Sequence, residues 1–144
     1  MTAAGVDQRT MEAVVDRYCA GWNAHDLDLL LAMQTDDMVF HLHLDGVGEV
    51  TGADALRDQY TAFFQVMPDY HAETSRITVR GDLAVVEYTI TATLAAPFPI
   101  GRHTGKEGHR AAFEAMDILR FTGDKVARKD VYVDAFAMSD GWDM

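Results

Sequence analysis

Basic charge is scarce in this chain: 12 lysines and arginines stand against 23 aspartates and glutamates over 144 residues, a formal net charge of -11. Without a basic run to neutralise phosphates, neither nucleic acid nor an anionic membrane is expected as a partner. Cysteine is nearly absent. The one present, Cys19, cannot close an internal disulfide, so nothing calls for an oxidising compartment. No segment approaches the roughly 20 apolar residues needed to span a bilayer. Residues 1–7 lack the basic stretch and apolar run of a secretory leader, and the expected location is the cytoplasm.

What is present is an ordinary globular composition, 49% hydrophobic and 24% charged, enough for a single domain over 1–144 with a real core. From Gln8 to Asn23 the apolar residues Met11, Val14, Val15, Tyr18, Cys19 and Trp22 recur at helical spacing. Asp26 is placed to cap a short second helix. Thr51 or Asp54 can cap a third, which runs to about Val66 and ends at Met67-Pro68-Asp69.

Between the second and third helices, alternation over Met38 to Leu44 predicts a strand. One face carries Met38, Phe40, Leu42 and Leu44, and the other Val39, His41, His43 and Asp45. Four more strands are predicted at 71–80, 83–94, 109–121 and 125–135, joined by Gly81-Asp82, by a loop over 95–108 and by Gly123-Asp124. Helices gathered first and strands last spell an α+β fold with a mostly antiparallel sheet. Strands this long should curl, and helices laid over the concave side would enclose an apolar pocket.

One acid sits in the middle of an apolar face. In the predicted strand 109–121, Asp117 shares its side with Phe113, Ala115, Leu119 and Phe121. Desolvation there disfavours the charged form and raises the pKa. Such a carboxyl is either an acid used at neutral pH or a core residue tied to a hidden partner. Trp22, Phe40, Leu42, Phe63, Phe64, Phe98 and Phe113 are candidates for the pocket lining. Asp130, Tyr132 and Asp134 share a face of the last strand, and either aspartate could be a structural cap or a polar group at the pocket mouth, where Tyr132 would contact substrate. His71, His103 and His109 read as rim residues. No cluster has metal-ligand spacing, so neither a metal nor a cofactor is expected.

Met11-Glu12-Ala13-Val14-Val15-Asp16-Arg17-Tyr18, followed by Trp22-Asn23-Ala24-His25-Asp26-Leu27-Asp28 and Thr35-Asp36-Asp37, resembles the opening of ketosteroid isomerases and SnoaL-like polyketide cyclases. Both belong to the NTF2-like cone folds. Met116-Asp117-Ile118-Leu119-Arg120-Phe121 and Gly123-Asp124-Lys125-Val126 resemble their penultimate strand and last turn, and residues 98–106 their preceding loop.

The resemblance implies a cone with about three N-terminal helices, a hydrophobic small-molecule substrate and a homodimer. It matches Tyr18 to the isomerase oxyanion-hole tyrosine and Asp117 to its protonated aspartic acid. It also puts Leu42 where the isomerase carries its proton-shuttling aspartate, and a leucine cannot accept a proton. His41 and His43 flank that position, and a bulge would turn one of them inward as a base. The expected activity is a cofactor-independent acid/base cyclisation or isomerisation of a polyketide-like or polycyclic carbonyl compound. A non-catalytic ligand- or protein-binding module is the alternative, with a His/Asp dehydratase behind it. Epoxide hydrolysis is disfavoured, since that branch holds an arginine between two aspartates and the strand at 83–94 offers none.

Overall fold

A computed structural model describes residues 6–100 and 103–138, with only the backbone at Ile100 and His103. The reading of the His103 side chain as a rim residue lies outside the described residues. Helix α1 (Gln8–Asn23) starts where Asp7 accepts a hydrogen bond from the Thr10 amide at 2.8 Å, capping an N–H that has no partner within the helix. Its buried stripe includes Met11, Val15, Tyr18 and Trp22, the spacing expected of an amphipathic helix.

The turn that follows holds His25 at a φ of 54°. A side chain in this left-handed region needs compensation, and His25 stacks on Phe64 at 4.3 Å and bonds the Tyr70 carbonyl oxygen at 2.9 Å. Asp26 then caps α2 (Leu27–Ala32) through the Leu29 amide. Helix α3 (Ala53–Val66) departs from expectation, because neither Thr51 nor Asp54 caps it. Gly52 is its N-cap, at a φ of 95° that favours glycine. Thr51 is already committed to β2 (Glu49–Thr51), a short strand hidden among the glycines.

Six strands form the main sheet: β1 (Gln34–Leu42), β2, β3 (His71–Arg80), β4 (Leu83–Thr93), β7 (Arg110–Thr122) and β8 (Lys125–Val133), in the order β2-β1-β8-β7-β4-β3. Among the described residues only the β1–β8 pairing is parallel. The loop over 95–108 contains its own small hairpin, β5 (Phe98–Ile100) and β6 (His103–Gly105). The last predicted strand stops at Val133 and gives way to a turn of helix, α4 (Ala135–Met138).

Register shifts at Gln34/Val39, Thr74/Arg76 and Arg120/Phe121 supply the bulges that bend long strands. The curled sheet turns one face inward. Val86, Tyr88 and Ile90 of β4 and Phe113, Ala115, Asp117 and Leu119 of β7 are buried on it, packed in one core with α1 and α3. The alternation read for β1 holds over its first half, with Met38 and Phe40 buried and Val39 half-buried, but the strand ends at Leu42 and residues 41–44 are all half-buried.

Candidate active site

The sheet brings three polar side chains together by diagonal neighbourhood. Asp117 lies opposite Val86 of β4 and Val131 of β8, so the same-face residues two positions along, Tyr88 and Lys129, come within side-chain reach. The Tyr88 hydroxyl donates to Asp117 Oδ1 at 2.6 Å, and Lys129 Nζ lies 3.4 Å from Asp117 Oδ2. Both charged side chains are almost dry, at 9% and 5% exposure. Burial pushes the Asp117 pKa up, with Lys129 and Tyr88 pulling against it. Burial pushes the Lys129 pKa down, opposed by Asp117. Burial also holds the Tyr88 phenol well above its ordinary range, so it stays a donor.

Lys129 ends among aromatic rings. Its Nζ stands 3.9 Å from the Trp22 ring centre, 5.2 Å from Tyr18 and 5.8 Å from Phe40, close enough for cation–π attraction when protonated. Beyond it opens a cavity of about 630 Å³, whose wall includes Lys129, Tyr88, Trp22, Tyr60 and Tyr70. A volume of this size suits a drug-sized apolar ligand.

Of the expected lining residues, Trp22, Phe40, Leu42, Phe63, Phe98 and Phe113 face this cavity. Phe64 does not, because its ring is stacked on His25. Asp117 stands behind the wall rather than in it, with Lys129 between it and the cavity.

Tyr18 is fully buried but does not bond Asp117. Its hydroxyl donates to Gln34 Oε1 at 2.7 Å, an acceptor shared with the Tyr60 hydroxyl at 2.8 Å. Gln34 sits at the start of β1, ahead of the strand predicted from sequence, and its oxygen holds the Tyr18 hydroxyl.

The two histidines expected as a base are on the other face of the sheet. The bulge in β1 lies upstream of them, and His41 pairs in regular register with Asp130, so neither ring turns inward. His43 Nε2 is 2.7 Å from Asp130 Oδ1 and its ring stacks on Tyr132 at 4.1 Å. Arg128 bonds both Asp130 oxygens and Glu49. Donor atoms of His41, His43 and Asp130 lie within 4.8 Å of one another, but Arg128 already supplies positive charge there. Tyr132 belongs to this outer patch, not to the cavity mouth. Asp134 caps α4 through the Ala137 amide.

Lys129 and Tyr88 carry no role in the sequence reading. The signal for Lys129 was its alternation with Val131 and Val133, whose face is the inner one.

Residues 15–129 match the SnoaL-like domain, and the chain belongs to that family. Similar solved structures share the NTF2-like cone. One, assigned as a SnoaL-like polyketide cyclase from Jannaschia sp. CCS1, is 18% identical, with 94% of this chain and 98% of that one covered and a TM-score of 0.78. A protein of ketosteroid isomerase-like fold from Catenulispora acidiphila, in complex with trimethylamine, is 13% identical over 88% and 89%, at 0.73. An LEH-like epoxide hydrolase of M. tuberculosis is 15% identical over 91% and 87%, at 0.71. No curated protein matches the chain in sequence. Among the described residues no helix is long and apolar enough to cross a membrane.

Proposed function

We propose that the chain is a cofactor-independent acid/base cyclase or isomerase acting on a hydrophobic, polyketide-like or polycyclic carbonyl compound. The observation that carries this reading is the dry Asp117–Lys129 pair at the wall of an apolar cavity. Enolisation or ring closure builds negative charge on a carbonyl oxygen. A donor already in place in a water-poor site stabilises that charge far more than water does. Lys129 is the group presented to the substrate. Its ammonium hands a proton to the Asp117 carboxylate, which Tyr88 steadies. The free amine takes the acidic substrate proton and donates it as a hydrogen bond to the enolate oxygen. Once Lys129 has reprotonated the product, Asp117 returns its proton to the amine. Among the described residues no histidine stands beside the pair, which favours a substrate whose proton is already acidic. The outer face, where Tyr132 is 41% exposed beside half-buried Met116 and Ile118, suits a second copy of the chain and a homodimer.

Turnover of a panel of polyketide esters, a 5-ene-3-ketosteroid and an equilenin-like phenol control, compared between the native chain and Asp117→Asn, tests the reading. A loss of roughly a hundredfold or more with the fold intact is the expected result for a general acid or oxyanion donor. The retreat of Asp117 from the cavity favours one second reading, a ligand-binding module in which the pair is structural. Ligands that bind without turnover, equally well to the Asp117→Asn variant, would establish that reading instead.

A further inference from the structure

We infer that Lys129 is an amine nucleophile, placed to condense with an apolar aldehyde or ketone in the cavity and to hold it as an imine. The inference rests on the reading of the cavity as a carbonyl site and goes beyond it in making the contact covalent. Three features of the geometry carry it.

The first is access. Lys129 is one of the residues that line the cavity, and its Nζ lies 3.9 Å from the ring of Trp22, another residue of the same wall. The second is a proton acceptor beside the amine. Asp117 Oδ2 lies 3.4 Å away, longer than the roughly 2.7–2.9 Å of a tight charge-assisted bond, while Oδ1 is held by Tyr88. Passing one proton from ammonium to carboxylate converts two buried charges into a neutral acid and a free amine. The opposite effects of burial on the two groups favour that transfer. The third is dryness. Desolvating a lysine in an apolar pocket is a recognised way to activate it as a nucleophile, and water-poor surroundings slow the hydrolysis of an imine once formed.

The step balances within these groups. Lys129 gives a proton to Asp117, and the free Nζ lone pair attacks the carbonyl carbon. The C=O π pair moves to oxygen, which takes one of the protons still on nitrogen. The resulting carbinolamine then loses its hydroxyl as water, using the proton stored on Asp117. What remains is a protonated imine at Lys129, a carboxylate at Asp117 and one released water.

The chain's composition makes the test clean, because it contains three lysines, Lys106, Lys125 and Lys129, of which the first two are exposed. The native chain is incubated with limiting 2-naphthaldehyde and cyanoborohydride, and the reduced adduct is located by peptide mass mapping. Quenching of tryptophan fluorescence reports independently whether the aldehyde enters.

The expected result is labelling of Lys129 at least roughly tenfold faster than of the exposed lysines, the mark of an activated rather than an ordinary amine. Asp117→Asn should slow it several-fold while leaving Lys106 and Lys125 unchanged. If the aldehyde quenches fluorescence and only Lys106 and Lys125 are labelled, the imine is overturned and the carbonyl-site reading stands. If it neither quenches nor labels Lys129, both are overturned.

Discussion

Lys129 and Asp130 are neighbours in the chain and finish on opposite faces of one sheet, each beside a group of opposite charge. On the inner face Lys129 meets Asp117, with both side chains under 10% exposed. On the outer face Asp130 meets Arg128 and His43, which are 33% and 27% exposed. The residue types are nearly the same, and the solvent differs. Outside, Asp130 is itself only 10% exposed, but its partners Arg128 and His43 reach water, which screens the pairs as a network at the surface. Inside, each charge has lost its hydration, a penalty of several kcal/mol per ion in proteins after relaxation. An acid and a base become a poised pair only where the pleat takes them out of water.

The largest test of this contrast is to remove one partner. Either Asp117→Leu or Lys129→Met should destabilise the fold by about 3–5 kcal/mol, since each leaves a buried charge unpaired. Removing both should restore stability to about the native level or above it. Urea unfolding of the three variants measures this, and single variants as stable as the native chain would mean that water reaches the pair.

The pH dependence sharpens the same point. Asp117 has a folded pKa raised above its ordinary 3.8. Its contribution to stability is therefore full below 3.8 and is lost as pH rises through the raised value. Lys129 has a folded pKa below its ordinary 10.5. The unfolded chain then binds more protons between the lowered value and 10.5, so stability rises with pH across that window. The doubly substituted chain should lack both slopes. Asp130 behaves oppositely to Asp117: burial tends to raise its pKa, but the bonds from Arg128 and His43 more than offset that and leave it lowered. Its stabilisation is present above 3.8 and is lost as pH falls through the depressed value, so Asp130→Asn should reduce the loss of stability in acid. Unfolding midpoints across pH separate the two signs.

Between these extremes lies Tyr88, whose hydroxyl holds Asp117 at 2.6 Å. Tyr88→Phe removes a hydrogen bond to a charged group, which costs about 1.5–3 kcal/mol. It should also raise the Asp117 pKa further, because the bond favours the carboxylate. Carboxyl carbon NMR follows that titration directly. An unmoved Asp117 resonance would show that the contact has no electrostatic weight.

Much of this was legible in the sequence because both β period and apolar pattern are local. The alternation around Asp117 put it on the buried face, and the pattern Phe40, Leu42 against His41, His43 already separated the inside from the outside. The resemblance to the cone families pointed to Asp117 as well. The partners of Asp117 were not legible for a different reason. Tyr88 and Lys129 meet it across strand registers, which the pattern of a single strand does not contain. Lys129 sits between Arg128 and Asp130, and a run of three charged residues reads as a solvated face even though alternate members point opposite ways. Tyr18 was placed in the core correctly, but Gln34, an uncharged residue one helix away in sequence, captured its hydroxyl.

The smallest expected effect belongs to the outer patch. His43→Ala removes a 2.7 Å contact to Asp130 and the stack on Tyr132, yet Arg128 keeps both Asp130 oxygens engaged. The His43 side of the pair is 27% exposed, and pairs that water reaches contribute about 1 kcal/mol or less. The substitution should therefore cost no more than that and leave turnover of a reactive carbonyl substrate unchanged, since neither His43 nor its partners reach the cavity. A steady-state comparison with the native chain checks it. A large fall in kcat for His43→Ala would contradict the division of labour between the faces, because it would mean that a histidine reaches the inner site by a rearrangement of β1. Were kcat unchanged but self-association of the chain weakened, the patch would be identified as the contact surface of the proposed dimer, and the proposed chemistry would stay with the pair on the inner face.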